Sequence, residues 1–181
     1  KCINCGLVIN RSGVDKSDFE NYYNSTYQKL NSFSSGKILS AQEHYDIALK
    51  SMRPVTKQLL PYLKSDWRVM DIGAATGEFL DLIKDQVEYC LGVEINEMYC
   101  KFMRNELGID ATSEDYFTID AHEDFDLIVI NTTIDHMYNS LAVLDKINSD
   151  LKKGGLIYIQ SPNDNQVLKT FLPESSRTDF E

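Results

Sequence analysis

Positive charge is in short supply in this chain of 181 residues: 18 Lys and Arg stand against 28 Asp and Glu, a net charge of −10. Proteins that grip a nucleic-acid backbone draw on clustered Lys and Arg, so DNA and RNA are not expected partners. Long apolar runs are missing as well. None approaches the ~20 residues of a membrane-spanning helix, so no membrane partner is expected. The start has no charged-then-apolar segment of the kind that directs secretion. It also has no Met, and Lys1 leads us to expect a trimmed chain. Cysteine is confined to Cys2, Cys5, Cys90 and Cys100, and only the first two stand at a motif spacing. Cys90 lies in an apolar run and Cys100 in a helical pattern. Both are expected to be buried, reduced thiols of a cytoplasmic protein.

What is present reads as a folded globular chain. Hydrophobic residues make up 43% and charged residues 25%, too apolar for a disordered polymer. The length suffices for a core without disulfides. Ser17 followed by Glu20 has the spacing of a capping box and predicts a helix from about Asp18 through Tyr22, Tyr23 and Tyr27. Those tyrosines form either an aromatic lid over a substrate or ordinary core packing. Residues 31–40 are the most linker-like, so a short N-terminal part, 1–39, is expected before a main domain, 40–181. Ser40 and Glu43 form a second capping box. It opens a helix from Ala41 to about Arg53, where Pro54 predicts a break or a new start.

Strands and helices then alternate. Trp67–Ile72 reads as a buried strand, Glu78–Lys84 as a helix and Tyr89–Glu94 as a strand. Asn96 can cap a helix through Leu107, with Met98, Phe102 and Met103 inward. Ile109–Thr112 is a weak strand. Phe125–Ile130 is a strong one with four consecutive apolar residues, as in a sheet covered on both faces. Leu141–Leu151 reads as an amphipathic helix with Leu141, Leu144, Ile147 and Leu151 inward, stopped by Gly154 and Gly155. Leu156–Ile159 is a further strand. The alternation predicts an α/β fold with a doubly wound, mostly parallel sheet and helices on both faces, preceded by N-terminal helices.

In such a sheet ligands sit outside the carboxyl ends of the strands. After the first strand comes Asp71-Ile72-Gly73-Ala74-Ala75-Thr76-Gly77-Glu78. Its glycines and small residues let backbone approach a ligand closely, and the helix that follows points amides into the same space. The second strand ends in Glu94, where a carboxylate can accept hydrogen bonds from both hydroxyls of a ribose. Glu78 follows Gly77, so the Lys of a phosphate-binding P-loop is missing. The third glycine of the dinucleotide fingerprint and any Tyr-x-x-x-Lys pair are missing too. Asp71 and Glu78 make a poor cradle for pyrophosphate and a better one for a ligand carrying an ammonium and a sulfonium.

Val69–Gly77 resembles the first motif of the class I S-adenosylmethionine (SAM) methyltransferases. Gly92-Val93-Glu94-Ile95 is similar to their second strand end, Phe125–Ile130 to their fourth strand, and Leu151–Ile159 to the lead into their fifth. The resemblance covers about residues 41–165 and implies a Rossmann-like sheet with SAM as cofactor. Ala75 departs from it, standing where the family usually has a glycine. By that resemblance Asp71 reaches the cofactor's amino group, and Gly73, Ala74, Ala75 and Gly77 line its methionine part. Glu94 holds the ribose with Ile95 against the adenine. Glu114 and Asp115, with Ser113, lie where the family contacts the adenine edge, and Asn131 and Thr132 lie near the transferring methyl.

Methyl transfer asks a protein to align the acceptor, exclude water and sometimes remove a proton. His136, next to Asp135, is the candidate catalytic base. A structural histidine bonding a backbone carbonyl is the other reading. His44 and His122 are expected at the surface. A nicotinamide-dependent reductase fits the glycine loop and Glu94 but not the missing third glycine. A non-catalytic SAM-binding module is the third reading.

Cys2-Ile3-Asn4-Cys5-Gly6 is half of a zinc-ribbon knuckle, and four-coordinate zinc needs two further ligands. With Tyr22 and Tyr23 behind it, this stretch resembles a subset of these methyltransferases that carries two Cys pairs before the catalytic domain. The resemblance implies a zinc ribbon cut to a remnant, with Cys2 and Cys5 as metal ligands only in a longer chain. Here they read as two free thiols. The subset's association with sugar methylation implies a small-molecule acceptor of carbohydrate type. Little chain follows Ile159, and Thr170–Glu181 has no strong strand pattern, so the last strands of the family sheet are expected to be missing.

Overall fold

The computed structural model describes Asp18, Tyr22, residues 39–137 and residues 139–162. The chain divides into two units, Lys1–Ile38 and Leu39–Glu181. Of the first, Asp18 and Tyr22 are helical and exposed. The rest of the helix expected through Tyr27, the Tyr23 and Tyr27 side of the lid, the Cys2–Cys5 pair and the segment Thr170–Glu181 lie outside the described residues.

The second unit opens with helix α1 (Ala41–Leu59). Its start is the expected capping box: Ser40 Oγ accepts from the Glu43 amide at 3.2 Å, and Glu43 Oε2 accepts from the Ser40 amide at 3.0 Å. The predicted break at Pro54 does not occur, and α1 runs through it. Pro54 and Lys50, whose carbonyl loses its partner there, are both exposed, so water can take that carbonyl. Met52, Thr56 and Leu59 form the buried face.

Five strands follow: β1 (Arg68–Ile72), β2 (Tyr89–Val93), β3 (Asp110–Thr112), β4 (Phe125–Asn131) and β5 (Leu151–Gln160). They form one sheet in the order β3-β2-β1-β4-β5, with every adjacent pair parallel. Between them lie α2 (Glu78–Ile83), α3 (Glu97–Phe102, continued as a π-helical turn over Met103–Leu107) and α4 (Ser140–Asp150).

Strand alternation sorts the core into two layers. Val69, Leu127 and Val129 pack with Met52, Leu59, Phe79, Leu80, Cys100 and Met103 beneath α1, α2 and α3. Met70, Ile72, Ile128 and Ile130 pack with Tyr116, Val143 and Ile147 on the α4 side. The doubly wound arrangement expected from the four-residue apolar run in β4 is therefore present. Alternation also puts Asp71 and Asn131 on the α1 face, at the carboxyl ends of β1 and β4.

Two expectations of helical packing fail. Met98, in the first turn of α3, is 47% exposed, and the buried residues of that helix are Cys100 and Phe102. Leu141 is 76% exposed, and the inward stripe of α4 runs instead through Val143, Ile147 and Asp150. Nor do Gly154 and Gly155 stop that helix. It ends at Asp150, and β5 begins at once at Leu151, opposite Phe125. A bulge then carries the register on to Leu156 opposite Leu127. Gly154 takes a positive φ of 81° within it, and Lys152 Nζ and the Arg68 amide satisfy Asp126 Oδ2 at 2.8 and 2.9 Å.

The inward Asp150 explains the rotation of α4. It is 1% exposed, accepts from the Tyr116 hydroxyl at 2.7 Å and pairs with Lys146 Nζ at 2.9 Å. Lys146 also donates to the Ile119 carbonyl at 2.8 Å. This network ties the long β3–β4 connection to α4. Asp150→Ala strands the Lys146 ammonium and the Tyr116 hydroxyl, so it is expected to cost about 3–5 kcal/mol in a urea unfolding curve, against about 1 kcal/mol for Tyr116→Phe.

Candidate functional site

Strands β1 and β4 lie side by side in the sheet with their onward connections departing in opposite directions, and the crevice at such a reversal is where open α/β sheets bind ligands. The glycine loop, residues 73–77, crosses it. The Gly73 and Ala74 amides donate to the Val93 carbonyl at 2.8 and 3.2 Å, and the Gly77 amide closes on the Ala74 carbonyl at 2.8 Å. These bonds fold the loop over the end of β2. They require left-handed backbone at Gly73 (φ 79°) and Gly77 (φ 83°). A Cβ at Gly73 would fall 2.3 Å from Thr133 Oγ1, and one at Gly77 would fall 2.6 Å from Met103 Cγ. Ala75 also has positive φ, 46°, so the residue that departs from the family glycine sits where the backbone favours one.

Glu94 locks this turn from the neighbouring strand. Its Oε2 accepts from the Ala75 amide at 3.0 Å and its Oε1 from the Asn96 amide at 2.9 Å. Asp71 and Glu78, at 4% and 6% exposure, are buried on either side of the loop. Burial, with the Glu78 and Glu94 carboxylates beside it, holds the Asp71 carboxyl well above the usual carboxylate range. Burial also raises Glu78 and Glu94, while hydrogen bonds oppose the rise: backbone amides at both, and the Thr76 hydroxyl at Glu78. Asp71 Oδ1 and Asn131 Oδ1 are buried without a hydrogen-bond partner. Such orphaned acceptors are rare in folded proteins, and they call for donors from a bound molecule or water.

The remaining expected residues divide. Ile95 is 56% exposed just beyond the end of β2. Thr132 follows β4 with φ 51°, its amide held by the Gln160 carbonyl at 2.8 Å. Asp115 is committed locally, with Oδ1 accepting from the Phe117 amide at 3.0 Å as the cap of a short turn. Glu114 is exposed beside it. His136 Nε2 lies 3.4 Å from Asp135 Oδ2 in a single turn after β4, so adjacency in sequence is contact in space. His122 is exposed as expected.

His44 is not the surface residue the sequence predicts. It is half-buried, with Nδ1 3.5 Å from Thr76 Oγ1 and its ring 5.2 Å from that of Tyr99. Thr133, pressed against Gly73, is the other neighbour the sequence gave no sign of. The helical period could have aligned His44 with Met52 and Thr56 only roughly, and its partners lie far along the chain. Cys90 and Cys100 are buried free thiols. Burial lifts them to about 12 and about 11, so neither is a nucleophile at neutral pH.

A doubly wound parallel sheet with a glycine loop and acids at its switch point defines a Rossmann-like ligand-binding domain. The chain belongs to the methyltransferase domain family, whose profile matches residues 41–179. No curated protein matches it. Among solved structures, a SAM dependent methyltransferase from Archaeoglobus fulgidus is 31% identical, with 62% of this chain and 54% of that one covered and a TM-score of 0.53. The YcgJ protein of Bacillus subtilis is 19% identical over 67% of this chain and 55% of that one, at a TM-score of 0.56. The N-methyltransferase NodS of Bradyrhizobium japonicum, in complex with S-adenosyl-L-homocysteine, is 18% identical over 66% of each chain, also at 0.56. The last two show likeness of fold alone. The chain spans about half the length of the first two structures, 54% and 55%.

Two outcomes are expected from the loop's geometry. Gly73→Ala should cost about 1–2 kcal/mol for left-handed backbone and about 1–3 kcal/mol for overpacking against Thr133. Ala75→Gly should leave stability within about 1 kcal/mol, because strain relieved in the fold is offset by freedom gained in the unfolded chain. Denaturant midpoints of both variants check this. The raised carboxyls also set a pH dependence. Asp71, Glu78 and Glu94 bind protons more tightly folded than unfolded, so their contribution is present below the ordinary carboxylate range and lost as pH rises through their folded values. Melts of the ligand-free chain are expected to show higher stability near pH 5.5 than near pH 7.5, with the difference reduced in Asp71→Asn.

Proposed function

We propose that this chain is the cofactor-binding part of a SAM-dependent methyltransferase acting on a small-molecule acceptor. One observation carries the reading. A glycine loop lined by Asp71, Glu78 and Glu94 lies beside two buried oxygens without partners, Asp71 Oδ1 and Asn131 Oδ1. Such a site favours positive charge and N–H or O–H donors: an ammonium brings both, a sulfonium brings charge, and ribose hydroxyls bring donors. The pyrophosphate of a nicotinamide dinucleotide would instead add charge to a cluster already strained by like charges, which weighs against the reductase reading.

Asp71 takes the amino group, and Gly73, Ala74, Ala75 and Gly77 lie along the methionine part. A carboxylate has about four acceptor positions, so Glu94 can accept from ribose hydroxyls while keeping its bonds to Ala75 and Asn96. Ile95 covers the adenine face. Glu114 is the freer acid for the adenine edge, since Asp115 is engaged as a cap. Asn131 and Thr132 stand at the end of β4 near the reacting centre. When bound, SAM supplies a methyl group already activated by its sulfonium. The protein's work is then alignment of the acceptor, exclusion of water and, through His136 oriented by Asp135, removal of a proton where the acceptor needs it.

The Cys2–Cys5 pair and its resemblance to zinc-ribbon methyltransferases support a sugar or nucleotide-sugar acceptor, and a structural zinc in a longer chain. The net charge of −10 supports an acceptor other than nucleic acid. Among the described residues no helix is long and apolar enough to cross a membrane. The buried thiols Cys90 and Cys100 support a reducing, cytoplasmic setting.

Thermal shift with S-adenosylhomocysteine, SAM, NAD and ATP, each alone, tests the reading. A ligand at 100 times its dissociation constant adds about 2.7 kcal/mol, or about 5–10 °C in Tm at this size. A shift with the first two, lost in Glu94→Ala, is expected. A shift with NAD alone would falsify the proposal, and cofactor binding with activity indifferent to His136→Ala would remove His136 from the catalytic role.

A further inference from the structure

The carboxyl end of β5 carries a polar side chain that the cofactor reading leaves unused. Gln160 is the register partner of Asn131 on β4, and its carbonyl holds the Thr132 amide at 2.8 Å. Alternation along β5 puts Tyr158 and Gln160 on the α1 face, where Tyr158 packs against the layer that holds Leu127 and Val129. The Tyr158 hydroxyl donates to Gln160 Oε1 at 3.0 Å. Both N–H groups of Gln160 Nε2 are then without a partner among the described residues. The side chain is half-buried, so a ligand can still reach it.

Asn131 is fixed in the opposite sense. Its Nδ2 lies 3.8 Å from the sulfur of Met52, a residue of α1. A thioether has no proton to give, so the amide nitrogen faces it and the amide oxygen faces away. That oxygen, Oδ1, is buried without a partner. Two amides thus stand side by side on strands about 4.8 Å apart, one offering an oxygen and the other N–H groups. A hydroxyl both donates and accepts, so it can satisfy the two together. An ammonium only donates and would face the Gln160 N–H groups with more donors. A carboxylate only accepts and would set its charge against Asn131 Oδ1, with Asp71 on the next strand.

Resting on the cofactor reading above, we propose that Gln160 is a specificity residue for the methyl acceptor: with Asn131 it selects an uncharged, hydroxyl-bearing molecule such as a sugar ring. Gln160 Nε2 donates to a hydroxyl whose proton goes to Asn131 Oδ1. Tyr158 and Met52 are positioning residues, each fixing which end of its amide faces the ligand. β5 lies on the far side of β4 from β1 and its glycine loop. A molecule held at Gln160 therefore need not displace one held by Asp71, Glu78 and Glu94.

Two measurements test this, one without ligand and one with it. In the ligand-free chain, the NMR signals of the Gln160 side-chain amide should move in Tyr158→Phe, and those of Asn131 in Met52→Leu. The chain saturated with S-adenosylhomocysteine is then titrated with glucose and, separately, with glucosamine at slightly acid pH, where the amine is charged. Glucose should shift the Gln160 and Asn131 side-chain amides of the wild type. Read at Asn131, Gln160→Leu should weaken glucose about two- to tenfold, the range that one net hydrogen bond gives, with the affinity for S-adenosylhomocysteine unchanged. Gln160→Glu should raise the ratio of glucosamine to glucose affinity about tenfold, because the carboxylate it introduces suits an ammonium. Comparing ratios removes the pull of the acid loop on any cation, which wild type and variant share. Should Gln160→Leu fail to fold, the wild-type shifts and the Gln160→Glu ratio decide alone. Amide signals unmoved by Tyr158→Phe, an equal response to glucose in Gln160→Leu, or a ratio unmoved by Gln160→Glu would overturn the inference. Failure of S-adenosylhomocysteine to bind the wild type would overturn the cofactor reading and this inference with it. Binding of it with no glucose response at Gln160 would overturn this inference alone.

Discussion

Everything at the carboxyl edge of this sheet depends on one turn held by backbone bonds. The Gly73 and Ala74 amides reach back to the Val93 carbonyl, and Glu94 answers by taking the Ala75 amide. Those bonds weld the exits of β1 and β2 together. They also force left-handed backbone at Gly73, Ala75 and Gly77, which is why the loop is built of small residues. Met103 fills the space under both Gly77 and Gly92, lying within 2.8 Å of where a Cβ at either would be. The π-helical turn that starts at Met103 thus begins at the residue that packs against this loop.

The same turn concentrates like charge. With Asp71, Glu78 and Glu94 around one small loop, the ligand-free domain holds carboxyls that would be easier to ionise in the unfolded chain. Such an arrangement is costly to the fold and useful to a site, since a bound cation returns what burial took away. Hydrogen bonds from the Thr76 hydroxyl and from backbone amides offset part of the strain. The orphaned oxygens of Asp71 and Asn131 mark where it stays uncompensated. They lie on the same face of adjacent strands, beneath α1, so the need for donors is focused in one crevice.

Much of the domain was legible from the chain itself. The glycine loop, the acid closing β2 and the apolar run of β4 sit in short segments whose pattern determines local structure, and each stands where it was expected. The capping box at Ser40 and Glu43 formed as read. The misreadings share a cause. Pro54 is tolerated because it faces water, Met98 is exposed while Cys100 and Phe102 turn inward, and Leu141 is exposed because Asp150 is drawn inward by Tyr116 and Lys146. The local pattern around His44 reads as surface because its partners, Thr76 and Tyr99, belong to other elements. Local pattern cannot report which side of a helix another element will cover.

Sequence alone therefore determined the alternation of strands and helices, the covered parallel sheet and the chemistry available at its edge. Those follow from side-chain period, turn residues and charge, all carried within a few neighbouring positions. Only tertiary structure decided that Asp71, Glu78 and Glu94 crowd one loop, that Asn131 faces the same crevice, and that His44 reaches it from α1. Those are distances between residues far apart in the chain, and they are set when helices dock on the two faces of the sheet.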